Sequence, residues 1–189
     1  IAAVNAPTQV VVSGATERVA EVEALASAAA VTTRTLRTSH AFHSPLMEGA
    51  LPEMEAALSG IELTPADRVR FISTVTGRAV RPAELADPAY WVGQIRSPVR
   101  FADAVTAAAG IAERAVEIGP HPALSGLVAQ SETELPVHPS LHRERGAWET
   151  LLGSVGDLYV AGTDPDWRAL PDDAPRRRVP LPARPFQRV

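Results

Sequence analysis

The sequence predicts an α/β domain with a largely parallel sheet. Short apolar runs alternate with stretches whose apolar residues recur every three and four positions, and the changes of pattern fall on turn or capping signals. Ser44-Pro45 and Asp87-Pro88 each pair a good N-cap with a proline suited to the first helical position, which fixes where two helices begin. In such folds, sites collect at the carboxyl ends of strands.

Val10–Ser13, ended by Gly14, reads as a buried strand, and Thr16 and Glu17 open a helix carrying Val19, Val22, Leu25, Ala26 and Ala29. Val31–Arg37 is rich in threonine and valine and holds no breaker, so it predicts a second strand. Leu46, Ala50, Met54, Ala57 and Leu58 predict one amphipathic helix from Pro45 to about Leu58. Val69–Val75 reads as a buried strand and Thr76-Gly77 as a turn. The helix opened by Asp87-Pro88 carries Tyr90, Trp91 and Gln94. It must end near Ser97-Pro98, because the residue before a proline is pushed out of the helical region. Val99, Phe101, Val105, Ala108 and Ala109 suggest one more helix, followed by a strand at Ala115–Ile118. Gly119-Pro120-His121-Pro122 then turns sharply into another helix, and prolines on both sides of His121 favour a rigid structural turn.

The organisation changes after about Pro136. Trp148, Leu151, Leu152, Val155 and Tyr159 form an amphipathic helix stopped at Gly162, and the rest of the chain offers its apolar stripe no obvious partner. Asp164–Val189 has linker composition, with six prolines and the run Arg176-Arg177-Arg178, which reads as solvated surface.

Composition removes several function classes. The chain has 189 residues, 46% of them hydrophobic, enough to bury the core of one domain or one and a half. No apolar run approaches the ~20 residues of a membrane span, and no basic-then-apolar leader opens the chain, so a cytoplasmic protein without a membrane partner is expected. With no cysteine, disulfides, a thiolate nucleophile and cysteine-type zinc sites are excluded. The net charge of −4 argues against nucleic-acid binding, although all 18 basic residues are arginine. The opening Ile1-Ala2-Ala3-Val4-Asn5 lacks methionine and reads as the start of a fragment.

The candidate chemistry lies in Thr38–Met47, where His40 and His43 directly precede the Ser44-Pro45 helix start. The positive end of the helix dipole favours a neutral ring at His43, and a neutral, positioned imidazole is what a general base requires. Two other roles fit the same residues: a structural histidine in a strand-to-helix loop, or a metal pair formed by His40 and His43. Pro45 places both histidines ahead of the helix and spacing supplies no third ligand, which argues against a metal.

Three segments, read in order, resemble a known family. Asn5-Ala6-Pro7-Thr8-Gln9-Val10-Val11-Val12-Ser13-Gly14, Ser39-His40-Ala41-Phe42-His43-Ser44-Pro45 and Glu117-Ile118-Gly119-Pro120-His121-Pro122-Ala123-Leu124 resemble the C-terminal half of the malonyl-CoA:acyl carrier protein transacylase-type domain of modular type I polyketide synthases. The tail, with Asp166-Trp167, Val179-Pro180-Leu181-Pro182 and Pro185-Phe186-Gln187-Arg188, is similar to the linker that follows that domain.

The resemblance implies a hydrolase-like parallel-sheet core with an inserted ferredoxin-like small subdomain, the N-terminal half being absent. Residues 1–38 would belong to the small subdomain and 39–135 to the core; 136–163 would be a helix packing on a linker domain and 164–189 the post-acyltransferase linker. It implies transfer of an extender unit, malonyl by the His40-Ala41-Phe42-His43 version of the motif, from coenzyme A to the phosphopantetheine of an acyl carrier protein. No cofactor or metal belongs to the domain itself. By resemblance His43 is the base of a serine–histidine dyad, and Gln94 holds the position whose carbonyl orients it. Asn5, His40 and Phe42 fall to substrate binding. The G-x-S-x-G serine elbow of the family does not occur in the sequence, so the chain should be inactive alone and need the missing N-terminal half. Further implied partners are the ketosynthase and its linker domain. The alternative is a non-catalytic scaffold or docking segment of a synthase.

Overall fold

The computed structural model describes residues 1–65, 68–169 and 180. The chain opens on a hairpin in which β1 (Ala3–Ala6) runs antiparallel to β2 (Gln9–Val11). On its other side β1 pairs in parallel with β5 (Val99–Arg100), giving the order β2-β1-β5. Ala2, Ala3 and Ala6 are buried, and their small side chains let α5 (Phe101–Ala109) pack closely on β1 with Ala104 and Val105 inward.

A second hairpin joins β3 (Ile72–Ser73) to β4 (Arg78–Ala79) through the expected turn at Gly77. Gly77 has φ +68°, and a Cβ there would lie 2.5 Å from Cβ of Asp103 on α5, so the turn needs glycine for both conformation and space. Ser73, fully buried, accepts hydrogen bonds from the Tyr90 hydroxyl at 2.7 Å and the Val75 amide at 3.0 Å. Tyr90 lies on α4 (Pro88–Gln94), whose N-cap Asp87 accepts from the Ala89 amide as the sequence predicts. A single turn, α3 (Pro82–Leu85), lies between the hairpin and α4 and buries Leu85.

The third sheet pairs β6 (Ala115–Glu117) with β7 (Val137–Pro139) in parallel. The α/β class therefore holds. The largely parallel sheet is realised only as the pairs β1–β5 and β6–β7, beside two antiparallel hairpins.

Several expectations are corrected. The strand expected at Val10–Ser13 ends at Val11 on the sheet edge and leaves Val10 55% exposed, because an edge strand has one neighbour. Its partner β1 has too little apolar alternation to announce itself. Val31–Arg37 forms no strand: residues 31–40 are all exposed. Threonine and valine favour an extended backbone, but a strand exists only where a ladder partner satisfies its amides, and none is present among the described residues. The strand expected at Val69–Val75 shrinks to Ile72–Ser73.

The expected single helix from Pro45 to Leu58 is two elements, a 3-10 helix at Pro45–Ala50 and α2 at Leu51–Leu58. Pro52 has no N–H to offer the Glu48 carbonyl, so an α-helical ladder cannot run through it and the preceding turn tightens. In the tighter winding Met47 faces inward, while Leu46 is 62% exposed.

α7 (Ala147–Val160) ends as expected. The Thr163 amide donates to the Leu158 carbonyl and the Gly162 amide to that of Tyr159, with Gly162 at φ +98°, which is the Schellman arrangement. Contrary to expectation α7 does find a partner in the chain, β7, approached through buried Thr150 and Ser154, whose hydroxyl donates to the Pro139 carbonyl at 2.7 Å. Trp148, Leu152 and Tyr159 stay outward, and Trp167 stacks edge-on against Tyr159 with ring centroids 5.3 Å apart. The arginine run and most of the proline-rich tail lie outside the described residues. Among the described residues no helix is long and apolar enough to cross a membrane.

Candidate active site

His43 is held in the left-handed backbone region, φ +62°, immediately before the N-cap Ser44. Ser44 is buried; its hydroxyl donates to the Ala41 carbonyl at 2.7 Å and accepts from the Leu46 amide at 3.3 Å. This local knot turns both the amide and the ring of His43 toward residues 95–97. The amide donates to the Ile95 carbonyl at 2.9 Å, and Nδ1 lies 2.8 Å from the Ser97 carbonyl oxygen. A carbonyl only accepts, so Nδ1 carries a proton, and whenever the ring is neutral Nε2 is the acceptor.

The sequence explains why that carbonyl is available. Pro98 forces Ser97 out of the helical region, so α4 stops and the Ser97 carbonyl has no place in the helical ladder. The orienting carbonyl is thus that of Ser97, three residues beyond Gln94; Gln94 is the last residue of α4, one turn too early to face the ring. The element after His43 is a six-residue 3-10 helix, which weakens the dipole argument without touching the hydrogen-bond one. His43 also does not stand at the carboxyl end of a strand, since 31–40 form none and residues 95–97 lead into the amino end of β5.

His40 and Phe42 are beside His43 in space as in sequence. Their rings meet edge-on at 6.0 Å, and Phe42 lies 6.5 Å from the His43 ring, with Phe42 47% exposed. His40 Nδ1 is 2.9 Å from the Ser39 hydroxyl. Asn5 stands near the end of β1, and among the described residues no hydrogen bond joins it to the histidine segment. Among the described residues no three histidine, aspartate or glutamate side chains gather as metal ligands.

The Gly119–Pro122 turn follows β6 after one residue, Ile118, at a carboxyl end as expected. What sequence reading missed is Glu117, the last residue of that strand. One carboxylate oxygen accepts the Leu124 amide at 2.9 Å; the other accepts the Ser125 amide at 2.7 Å and the Ser125 hydroxyl. Burial pushes this carboxyl up, but the Ser125 hydroxyl and the Leu124, Ser125 and Ala123 amides together outweigh it and hold the group below its ordinary value. Glu117 thereby ties both ends of the turn. His121 packs edge-on against His142 at 4.7 Å, in keeping with a structural role.

The family model for the acyl transferase domain matches residues 1–165. The chain belongs to that family. The acyltransferase domain from the second module of the salinomycin polyketide synthase superposes with TM-score 0.82 and 36% identity, over 89% of this chain and 40% of that one. Polyketide synthase GfsB of Streptomyces halstedii is 41% identical over the whole of this chain, which spans 3% of that protein. Erythronolide synthase EryA3 of Saccharopolyspora erythraea is 37% identical, again over the whole chain and 6% of its own length. The malonyl CoA-acyl carrier protein transacylase of Clostridium perfringens, 22% identical with TM-score 0.73 over 85% of this chain and 50% of that one, shares the fold. The chain is therefore of the polyketide synthase acyltransferase type and spans well under half of the solved domain it matches and a few per cent of the synthases.

Proposed function

We propose that His43 is the general base of an acyltransferase that moves a malonyl-type extender unit from coenzyme A to the phosphopantetheine thiol of an acyl carrier protein. The observation that carries this reading is the contact at Nδ1: Nδ1–H donates to a backbone carbonyl, so in the neutral ring the proton stays on Nδ1 and Nε2 is free to accept one. Nε2 takes the proton of a serine hydroxyl as its oxygen attacks the thioester carbonyl; the carbon–sulfur bond breaks and coenzyme A leaves with that proton. In the second half the carrier thiol gives its proton to Nε2, attacks the acyl-serine and releases the hydroxyl. Ser97 does the orienting work that the resemblance gives to Gln94. The serine, in the family's G-x-S-x-G elbow, lies outside these 189 residues in an N-terminal half that completes the hydrolase-like core, so the chain is inactive by itself.

On this reading the extender is malonyl: the Phe42 ring lies 6.5 Å from that of His43, close enough for its bulk to meet an α-methyl on an acyl group held at the base. A related polyketide acyltransferase, 28% identical with TM-score 0.73, has been solved in complex with 2-(pent-4-yn-1-yl)malonyl, which supports a malonyl-type acyl group for the family member described here. The outward Trp148, Leu152 and Tyr159 of α7 suit the linker domain next to the ketosynthase, in a synthase that resides in the cytoplasm.

His43→Ala in the full synthase polypeptide tests the reading. Transfer from malonyl-CoA to the carrier should fall about 10³-fold or more, since an unassisted serine hydroxyl is a poor nucleophile. Transfer within a few fold of the wild type would leave the scaffold role instead.

A further inference from the structure

His43 is gripped twice by the same three residues, its amide by Ile95 and its ring by Ser97. The residue between them, Arg96, reaches across to the other side of the histidine: its Nε donates to Glu48 Oε1 at 2.7 Å. Glu48 lies on the 3-10 helix that starts two residues after His43. The base thus sits in a short loop of structure closed by an ion pair, with residues 44–48 on one flank and 95–97 on the other. Packing of α2 against α4 brings the two segments near each other, and the ion pair joins them beside His43. We propose that Glu48 and Arg96 form a positioning clamp that keeps the Ser97 carbonyl on Nδ1, and so keeps Nε2 as the acceptor. This rests on the reading of His43 as the base.

The magnitudes suit a positioning role better than a stabilising one. Both side chains are about half exposed, 56% for Glu48 and 49% for Arg96, so the pair adds little to folding. An exposed pair of this kind biases a local geometry by about twofold to fivefold, and less as salt screens it. A bias of that size at a reacting group appears directly in the rate, because only molecules with the ring oriented can take the serine proton.

The test uses the full synthase polypeptide with Glu48→Ala, Arg96→Ala and the charge-reversed pair Glu48→Arg with Arg96→Glu. Each single variant should lower kcat about twofold to fivefold with KM for malonyl-CoA unchanged. Deuterium exchange at the His43 amide, which donates to Ile95, should rise by a similar factor. The reversed pair should recover both readouts, and added salt should bring the wild type toward the single variants. Unchanged kcat and exchange in both single variants would overturn the clamp, and so would losses that charge reversal fails to restore. Failure of the base assignment would look different: normal transfer by His43→Ala, with the exchange response to Glu48→Ala still present.

Discussion

From His43 to Ala109 the chain is cross-tied by contacts between residues far apart in sequence: the His43 amide on Ile95, the Tyr90 hydroxyl on Ser73, Arg96 on Glu48. From Val12 to His40 most polar contacts are local, such as Arg18 with Glu21 and the Val31 amide with the Ala26 carbonyl. α1 (Thr16–Ala28) is thirteen residues long and buries none of them, with Leu25 71% exposed, whereas eight-residue α2 buries Leu58 and the 3-10 helix before it buries Met47. Both regions carry helical periodicity in sequence, although Ala15 ahead of α1 offers no side-chain cap where Ser44 does. The difference shows that local sequence is enough to predict a helix, while burial is decided by what other chain is there to receive its apolar face.

Truncating one apolar residue in each region tests the contrast with the largest effect. Met47→Ala should destabilise the chain by about 2–4 kcal/mol, since it removes a buried side chain and leaves a cavity. Leu25→Ala should cost less than about 0.5 kcal/mol. Urea unfolding of the two variants measures both, and equal losses would mean that α1 is as well packed as the histidine segment.

The second contrast separates chemistry from stability at the boundary of the two regions. His40 and Phe42 are exposed, so His40→Tyr with Phe42→Ser should leave the folding midpoint nearly unchanged. In the full polypeptide the same double variant should raise methylmalonyl transfer relative to malonyl. A single methyl clash is worth roughly 1–3 kcal/mol, or about 10- to 200-fold in kcat/KM, and pocket walls from elsewhere in the domain keep the shift below a full switch. Competition between the two thioesters measures it, and an unchanged ratio would remove Phe42 from the acyl pocket.

The smallest effect belongs to the Glu117 turn, tied at both ends but only partly buried. Its carboxyl is held below the ordinary 4.5, so the carboxylate contributes stability that is complete above that pH and is lost as pH falls through the lowered folded value. Glu117→Gln should cost about 1 kcal/mol at pH 7, from the weakened acceptor. Thermal melts should show the gap between variant and wild type closing as the buffer is acidified below pH 4.5; a gap that stays constant would mean the charge is not what ties the turn.

Much of this was legible in residues whose signals are local. Ser44-Pro45, Asp87-Pro88, Gly77 and Gly162 each did what their side-chain chemistry dictates, and His43 was marked out by its place ahead of a cap. The carbonyl that orients it was not legible, because backbone acceptors leave no trace in residue identity; only Pro98 hinted that Ser97 would be left outside a helix. Pro52 was in plain view and should have divided the helix at Leu51. Val31–Arg37 failed for a different reason: β-propensity describes a residue, and a strand requires a neighbour. The Glu48–Arg96 pair and the Glu117 tie join residues 48 and 8 or fewer positions apart, and neither spacing has a sequence signature.

The left-handed backbone at His43 narrows which amino acids position 43 can hold before any chemistry is considered. A β-branched residue is barred by sterics, and alanine would carry a conformational penalty of roughly 1–2 kcal/mol, whereas asparagine and glycine adopt the same φ readily. Loss of the imidazole and disturbance of the chain path are therefore separable at one position. His43→Asn keeps the bend and lacks the imidazole; a β-branched replacement would spoil the bend as well. Homologous sequences that drift at this site should do so toward asparagine or glycine when only the bend is retained, and keep histidine where the imidazole itself is needed.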